Sequence, residues 1–203
     1  MLTGLFLLGF FVDQPVDHWV ASHRDAGWEV AAKLCSRFLA WHWLMAMAGA
    51  GLLLAWVRGW RDWMRVLCVM MIAASLAGLS ADLLRGLTGR TRPYAQVPQG
   101  FYGIRSGSKW LITEHAYNSF PSGHTAAIAG FAVPLLFWRR RLAWLVFAII
   151  SLVAAARVYL GAHHLTDIFA GALLGALIAS AVWGRIPFAR GAISESPSRA
   201  APA

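Results

Sequence analysis

Long apolar runs separated by short polar segments dominate the hydrophobic pattern of this chain. A transmembrane helix needs about 20 consecutive, mostly apolar residues. Five runs approach or reach that length, namely 38–57, 66–84, 123–138, 142–160 and 165–183. The pattern predicts an all-α fold, a polytopic transmembrane helical bundle with five clear spans.

The two ends of the chain depart from this pattern. Residues 1–12 are apolar but short, and they lack the basic start and small-residue cleavage site of a signal peptide. We interpret them as a short, marginal first span or an interfacial helix. Residues 13–37 mix aromatic and charged side chains, and they are predicted to lie along the membrane interface. A single domain is expected over 1–186, followed by a disordered cytoplasmic tail over 187–203.

Composition supports the membrane assignment. The chain is 59% hydrophobic and 13% charged, with a mean hydropathy of +0.56, which excludes an ordinary soluble domain. Its net charge is +9, but the arginines lie between apolar runs. Anionic lipid headgroups and membrane topology therefore explain them better than nucleic acid does. The two cysteines, Cys35 and Cys68, have no metal or redox spacing, and no disulfide between them is expected.

Arginine clusters predict the orientation in the membrane, because short arginine-rich loops stay in the cytoplasm. Three clusters alternate with the spans so that they share one side: Arg58, Arg61 and Arg65; Arg139, Arg140 and Arg141; and Arg185, Arg190 and Arg199. We predict that this side is cytoplasmic and that the protein is a multi-pass protein of the inner membrane. The loop 85–120, the turn 121–124 and His163 then face the periplasm.

A small polar turn, Pro121-Ser122-Gly123-His124, directly precedes one of the apolar runs. A helix that begins at Gly123 aims its positive dipole end and its N–H groups back at the turn, which suits an anion. His124 could supply a proton there. Taken alone, the turn is more typical of an ordinary helix start.

Three arginines near the outer ends of spans are candidates for binding that anion. Arg85 and Arg92 are seven residues apart, so on one helix they would share a face and form a fork for a phosphate. Arg157 follows three alanines inside an apolar run, where a charge is costly and usually functional. The alternative for all three is that they snorkel to the membrane interface.

His163 and Asp167 are four residues apart and can touch on a helix. A carboxylate bonded to one imidazole nitrogen leaves the other nitrogen free as a nucleophile or base. His164 competes for this role, and Thr166 or Asp167 could instead cap the last span. Three arginines favour an anion over a metal ion. The combination predicts a phosphoryl site, where one histidine attacks phosphorus and the other protonates the leaving oxygen.

These segments resemble the motifs of the type 2 phosphatidic acid phosphatases, which share their site with the vanadium haloperoxidases. Residues 85–93 match Lys-x6-Arg-Pro, with arginine in place of the lysine. Residues 121–124 match Pro-Ser-Gly-His completely. Residues 156–167 match Ser-Arg-x5-His-x3-Asp, with alanine in place of the serine. The spacing of the third motif selects His163 over His164.

The resemblance implies a role for each matched residue. His163 would be the nucleophile, Asp167 would orient it, and His124 would be the general acid. Phosphate would be bound by Arg85, Arg92, Ser122, Gly123 and Arg157. The resemblance also implies an active enzyme without a metal or other cofactor. We expect a lipid phosphate and the bilayer as partners, with no nucleic acid and no obligate protein partner.

The expected function is therefore a lipid phosphatase acting at the outer membrane face through a phosphohistidine. Similar bacterial enzymes act on undecaprenyl pyrophosphate, phosphatidylglycerophosphate, phosphatidic acid or lipid A phosphates, and the sequence favours none of these. Aromatic and basic residues in the outer loop suit either a lipid entrance or a plain interfacial loop. The alternative function is a phosphotransferase with a lipid or sugar acceptor. The small multi-span chain disfavours a haloperoxidase, and the complete motif set disfavours a non-catalytic lipid-binding protein.

Overall fold

The computed structural model describes residues 2–185, which are mainly helical. The α-helices in this range are α1 Leu2–Ser22, α2 Ala26–Phe38, α3 Trp41–Val57, α4 Arg61–Thr88, α5 Gly123–Trp138, α6 Ala143–Tyr159 and α7 Leu165–Arg185. Strands β1 (Arg105–Ser106) and β2 (Lys109–Trp110) form a small antiparallel hairpin in the loop between α4 and α5. The predicted all-α fold class is confirmed, while the predicted tail 187–203 lies outside the described residues.

The number of spans differs from the five predicted. Within residues 2–185, three helices are long and apolar enough to cross a bilayer, namely Arg61–Thr88, Arg140–Tyr159 and Leu165–Arg185. The predicted span 38–57 corresponds to α3, which has only 17 residues. It reaches the required length only together with α2, and the two helices meet at a bend of 52°. Helix α5 is apolar but has only 16 residues. Most of its first turns are buried by neighbouring helices, so it is a core element of the bundle.

Small residues allow α5 to pack closely between α4 and α7. A Cβ atom added to Gly130 of α5 would lie 2.7 Å from the backbone oxygen of Ala73 in α4. A Cβ atom on Gly175 of α7 would collide with the carbonyl oxygen of Ala126. Glycine and alanine permit such close backbone approach between helices in a membrane. This packing fixes the relative positions of the helix ends that carry the motifs.

The two ends of the bundle differ in chemistry. At one end, Trp63 at the start of α4 packs edge-on against Trp138 at the end of α5, with 4.4 Å between ring centroids. Trp183 of α7 belongs to the same hydrophobic cluster. The arginine clusters 58–65 and 139–141 are therefore at this end. The last turn of α4 and the first turns of α5 and α7 lie at the opposite end, where the sequence places the motifs.

Helices α1 and α2 form an N-terminal arm (residues 2–38) that packs against α6 and α7. Helix α1 continues through Asp13 to Ser22 and does not end near residue 12. The prediction that 13–37 is a surface segment is wrong at Asp13, which is only 2% exposed. It is buried because it forms an ion pair with Arg90. The rest of the arm exposes large apolar side chains such as Trp19 and Trp28, as an interfacial segment would.

Candidate active site

His163 lies in the loop between α6 and α7 and is fully buried. Its Nδ1 lies 2.8 Å from the backbone carbonyl oxygen of Ser119. A carbonyl oxygen can only accept, so this bond assigns the proton to Nδ1 and leaves a lone pair on Nε2. Nε2 is buried and has no hydrogen-bond partner among the described residues. Burial is the main reason that the pKa of His163 falls to about 4, which keeps the ring neutral at pH 7.

Asp167 reaches His163 indirectly. Its Oδ2 lies 3.7 Å from His163 Nδ1, beyond hydrogen-bonding distance. That oxygen instead accepts hydrogen bonds from Ser119 Oγ at 2.5 Å and from the His164 backbone N–H at 2.9 Å. The four-residue spacing does not give a direct pair, because α7 begins only at Leu165 and His163 precedes it. Ser119 therefore links the two groups, with its hydroxyl on Asp167 and its carbonyl on His163.

His164 has no free ring nitrogen within the described structure. Its Nδ1 lies 2.6 Å from Asp17 Oδ2, and its Nε2 lies 3.0 Å from the backbone oxygen of Thr91. Asp167 also caps α7 through the His164 N–H, which is the capping role that the sequence left open. The geometry thus leaves His163 as the histidine of this pair with an available nitrogen.

The three candidate arginines meet at one place, but by a different route from the one predicted. Arg85 and Arg92 do not share a helical face, because α4 ends at Thr88 and Gly89 closes it in the left-handed conformation, with φ 57°. The loop after Gly89 returns Arg92 to the site. The guanidinium groups of Arg85, Arg92 and Arg157 interact electrostatically with one another. All three also act on His124 of α5, which places the four side chains around one space.

Two of these arginines have a buried Nε–H donor without a hydrogen-bond acceptor among the described residues. The Nε atoms of Arg92 and Arg157 have no hydrogen-bond partner within residues 9–185. Their other nitrogens are held in place, since Arg92 Nη2 donates to the Asn118 carbonyl at 3.0 Å and Arg157 Nη1 donates to Ser36 Oγ at 2.8 Å. Unsatisfied buried donors are costly and need an explanation. An anionic ligand would satisfy both.

The Pro-Ser-Gly-His turn starts α5, and Ser122 is the N-cap. Its hydroxyl accepts from the Thr125 N–H at 3.4 Å, and its own N–H donates to the Asp167 carbonyl at 3.0 Å. Ser122 is therefore used to build the turn, and it is fully buried. The next two amides, of Gly123 and His124, have no acceptor within the helix. They supply the positive end of α5, and the Arg85 guanidinium lies against Gly123.

A groove with a cavity volume of about 510 Å³ opens beside this turn. Arg85 and His124 line its polar end, together with Asp82, which forms an ion pair with Arg85. Its remaining wall comes from α3, α4 and α5 and is mainly apolar, with Trp41, Gly78, Leu79 and Ala127 beside the polar residues His42 and Ser75. The groove therefore joins a cluster of cationic groups to an apolar channel along the helices.

The arrangement can bind a dianion and attack it. Three guanidinium groups and a helix N-terminus supply the positive field, and a neutral imidazole supplies a lone pair. No group of three or more His, Cys, Asp or Glu side chains in the described part of the chain is placed to hold a metal ion.

Several residues that shape this site carry no motif signal. Ser119 and Arg90 contact Asp167, while Asp13, Asp17 and Ser36 reach the site from the N-terminal arm. The one available signal is the placement of Asp13 and Asp17 four residues apart in a mostly apolar segment, where charges are usually functional.

The fold and this site are those of an integral membrane protein with buried guanidinium groups gathered near a neutral imidazole. The chain belongs to the PAP2 superfamily, whose family model matches residues 63–190. The resemblance noted from the three motifs is confirmed at the level of the family.

Individual relatives agree with this assignment. Lipid A 1-phosphatase of Rhizobium johnstonii is 37% identical over 102 residues, which cover 49% of this chain and 39% of that protein. The bacitracin transport permease protein BcrC of Bacillus licheniformis is 27% identical over 74% of this chain and 70% of its own length. The crystal structure of Aquifex aeolicus LpxE superposes with a TM-score of 0.61 at 17% identity, covering 85% of this chain and 95% of that one. This chain thus spans well under half of the Rhizobium relative, and the solved structure supports the fold.

Proposed function

We propose that this protein is a metal-independent membrane lipid phosphatase that hydrolyses a phosphate monoester or pyrophosphate through a phosphohistidine. The observation that carries the proposal is the buried Nε2 of His163, which is neutral and unpartnered among the described residues. It lies among arginines whose Nε donors also lack partners within that part of the chain. A phosphoryl group would satisfy the donors and present phosphorus to the lone pair.

In the first step, His163 Nε2 attacks phosphorus, a P–N bond forms and the P–O bond to the lipid breaks. Burial and the nearby arginines lower the pKa of His124 to about 3, and a bound phosphoryl dianion would raise it by offsetting those positive charges. His124 then donates a proton to the departing oxygen. The Ser119 carbonyl accepts the Nδ1–H bond throughout, so it stabilises the positive charge that develops on the ring. Asp167 contributes by holding the Ser119 hydroxyl. Arg85, Arg92, Arg157 and the amides at the start of α5 hold the phosphoryl oxygens, and Ser122 acts by fixing this turn.

In the second step, water attacks phosphorus and His124, now neutral, takes its proton. The P–N bond breaks, inorganic phosphate leaves and His163 returns to its starting state. The alternative phosphotransferase differs only here, because an acceptor hydroxyl would take the place of water.

The groove supports a lipid as the leaving group. Ser75 precedes Arg85 by ten residues on α4, which places it about 15 Å along the helix from the cationic end. An acyl or isoprenyl chain lying beside α4 would contact Leu79 and Ala127 while its phosphate reached Arg85. The names of the Rhizobium relative and of other relatives, which include plant lipid phosphate phosphatases, are consistent with this substrate class.

We further propose that the site faces the periplasm of an inner membrane. The arginine clusters lie at the end of the bundle opposite to the site, and short arginine-rich loops are retained in the cytoplasm.

Phosphate release by the purified protein in detergent with EDTA tests the proposal. Undecaprenyl pyrophosphate, phosphatidylglycerophosphate, phosphatidic acid and lipid A would be offered separately, each with and without a lipid or sugar acceptor. The His163→Ala variant should lose at least about 1,000-fold in rate, because the nucleophile is removed. The matched control is His23→Ala, since His23 is an exposed histidine of the arm.

Each outcome has a defined meaning. Release from one lipid that survives EDTA and is lost only in His163→Ala supports the proposal and identifies the substrate. Release that requires the acceptor would favour the phosphotransferase. Equal activity in the two histidine variants would contradict the assigned nucleophile.

A further inference from the structure

Arg90 is a buried arginine that none of the assigned catalytic roles uses. It is 5% exposed and lies between two carboxylates, with Nη2 2.6 Å from Asp13 Oδ2 and Nη1 2.5 Å from Asp167 Oδ1. Nη1 also lies 2.7 Å from Thr166 Oγ1. The rings of Phe10, Phe101 and Phe120 surround the guanidinium, with centroids 4.8, 5.0 and 5.9 Å from its central carbon. Such a fully enclosed charge holds one geometry, because any movement would leave it unpaired.

The arginine is connected to His163 through consecutive hydrogen bonds. Arg90 holds one oxygen of Asp167, and the other oxygen accepts from Ser119 Oγ. The Ser119 carbonyl accepts from His163 Nδ1. The orientation of the imidazole therefore depends on Ser119, which depends on Asp167, which is fixed from behind by Arg90.

Asp13 anchors this series to the N-terminal arm. Its Oδ1 accepts the Thr166 backbone N–H at 3.0 Å, and its Oδ2 contacts both Thr166 Oγ1 and Arg90. The carboxylate thus binds the first turn of α7 as well as the arginine. Helix α1 lies before residues 63–190, which match the family model. Its Asp13 is nevertheless linked to Asp167 through a single side chain, that of Arg90.

We propose that Arg90 and Asp13 are positioning residues for His163, acting through Asp167 and Ser119, and that α1 is consequently part of the catalytic unit. This inference rests on the proposed role of His163 as the nucleophile. The cluster carries a net charge of −1, from two carboxylates and one guanidinium. That charge balance makes the inference testable, because it can be broken by one substitution and restored by a second.

Arg90→Gln should lower kcat about 100-fold and leave KM within about threefold. The loss arises because two buried carboxylates face each other without a cation, which displaces Asp167 and with it Ser119 and His163. KM is retained because the arginines that bind phosphate are unchanged. The double variant Asp13→Asn, Arg90→Gln restores the net charge to −1, and it should recover kcat at least about tenfold relative to Arg90→Gln. Arg90→Lys, which keeps the charge but not the fork, should be intermediate.

The matched control is the exposed ion pair of Asp62 and Arg65, 3.3 Å apart at the opposite end of the bundle. Asp62→Asn, Arg65→Gln and their combination should leave kcat unchanged. A purely structural role of Arg90 would lower the fraction of folded protein without the selective loss of kcat per folded molecule. The number of competent sites is measured by burst-phase release of the dephosphorylated lipid, because the phosphoryl group stays on His163 until the second step.

Three outcomes would overturn the inference: wild-type kcat in Arg90→Gln, no recovery in the double variant, or equal effects in the control pair. If Arg90→Gln does not fold, the Asp13→Asn variant tests the inference in its place. That variant keeps the shape at Thr166 but loses one charge, and it should lower kcat about fivefold at constant KM. Unchanged kcat in Asp13→Asn would overturn the inference. An inactive wild-type protein would instead count against the proposed function itself.

Discussion

The motif-bearing segments and the N-terminal arm contribute to the same site in different ways. The motifs supply the groups that would touch a phosphoryl group, namely His124, His163 and three arginines. The arm supplies groups that hold those side chains or their neighbours, such as Asp13 on Arg90 and Ser36 on Arg157. The family model begins at residue 63, after the arm ends.

The difference follows from the chemistry that each region performs. A group that attacks phosphorus must present a nucleophilic atom, and a group that neutralises its oxygens must present a positive charge, each at a defined position. A group that fixes such a side chain need only present an acceptor or a charge at the right distance, and many residues can do that. The two regions can therefore be separated by substitutions that retain charge but change geometry.

Among substitutions that retain charge, the largest effect is expected inside the motif region, at Arg157. Arg157→Lys should lower kcat/KM about 100-fold, because an ammonium group cannot donate to Ser36 and also reach a phosphoryl oxygen in the same plane. Arg85→Lys is the matched control, with a loss of about threefold or less, since lysine is the usual residue of the motif that this position resembles. Steady-state phosphate release measures both. Equal losses would show that the two arginines act only as charges.

The sequence predicts which motif side chains gather at this site better than it predicts how they are held there. The three motifs bring His163 next to the arginines because each motif lies at an end of one or two of the helices α4, α5, α6 and α7. How Asp167 meets His163, at 3.7 Å and with Ser119 hydrogen-bonded to both, could not be predicted, since it depends on where α7 begins. The buried position of Asp13 depends on an arginine 77 residues away, and local composition places it at the surface instead.

Span prediction shows the same limit. Hydropathy detects α4, α7 and the stretch from Arg140 to the end of α6 because each is long and apolar. It counts α5 as a full span, although α5 has only 16 residues to run from the site end of the bundle to the arginine end. It counts residues 38–57 as a full span, because the apolar run does not reveal that α3 begins only at Trp41, after a 52° bend from α2.

The helix packing offers a second comparison, because the motif region depends on close backbone contact whereas the arm is held by side chains. Gly175→Val should destabilise the protein by about 3 kcal/mol, since its added atoms would collide with the Ala126 backbone. Gly184→Ala should change stability little, as its added Cβ meets nothing within 4 Å. Thermal unfolding in detergent measures both. Similar melting temperatures for the two variants would contradict the close packing of α5 and α7.

The pH dependence tests how completely the two regions together exclude water from His163. Burial, aided by Arg157 and Arg92, lowers the pKa of His163 from 6.5 to about 4. The Nε2 lone pair is therefore present above pH 4 and is lost as the pH falls through that value. After correction for ionisation of the substrate phosphate, the acid limb of kcat/KM should have its midpoint near pH 4. A midpoint near 6.5 would mean that water reaches the imidazole in the working enzyme.

The smallest effect is expected in the arm, at Ser36. Ser36→Ala removes the hydroxyl that accepts from Arg157 Nη1, so the guanidinium loses one of the contacts that orient it. KM should rise about fivefold while kcat changes less than twofold, because Arg157 is proposed to bind phosphate in the ground state as well. Ser36→Thr keeps the hydroxyl and should restore KM. Ser180→Ala is the matched control, since among the described residues Ser180 bonds only to Ala176 of its own helix.

In this family the third motif usually carries a serine next to the arginine, and here that position is Ala156. If Ser36→Ala raises KM and Ser180→Ala does not, the Ser36 hydroxyl of the arm supports Arg157 where the third motif, with Ala156, supplies no hydroxyl. Unchanged KM would instead mean that the arm contributes to the site through the Asp13–Arg90 ion pair and not through Ser36.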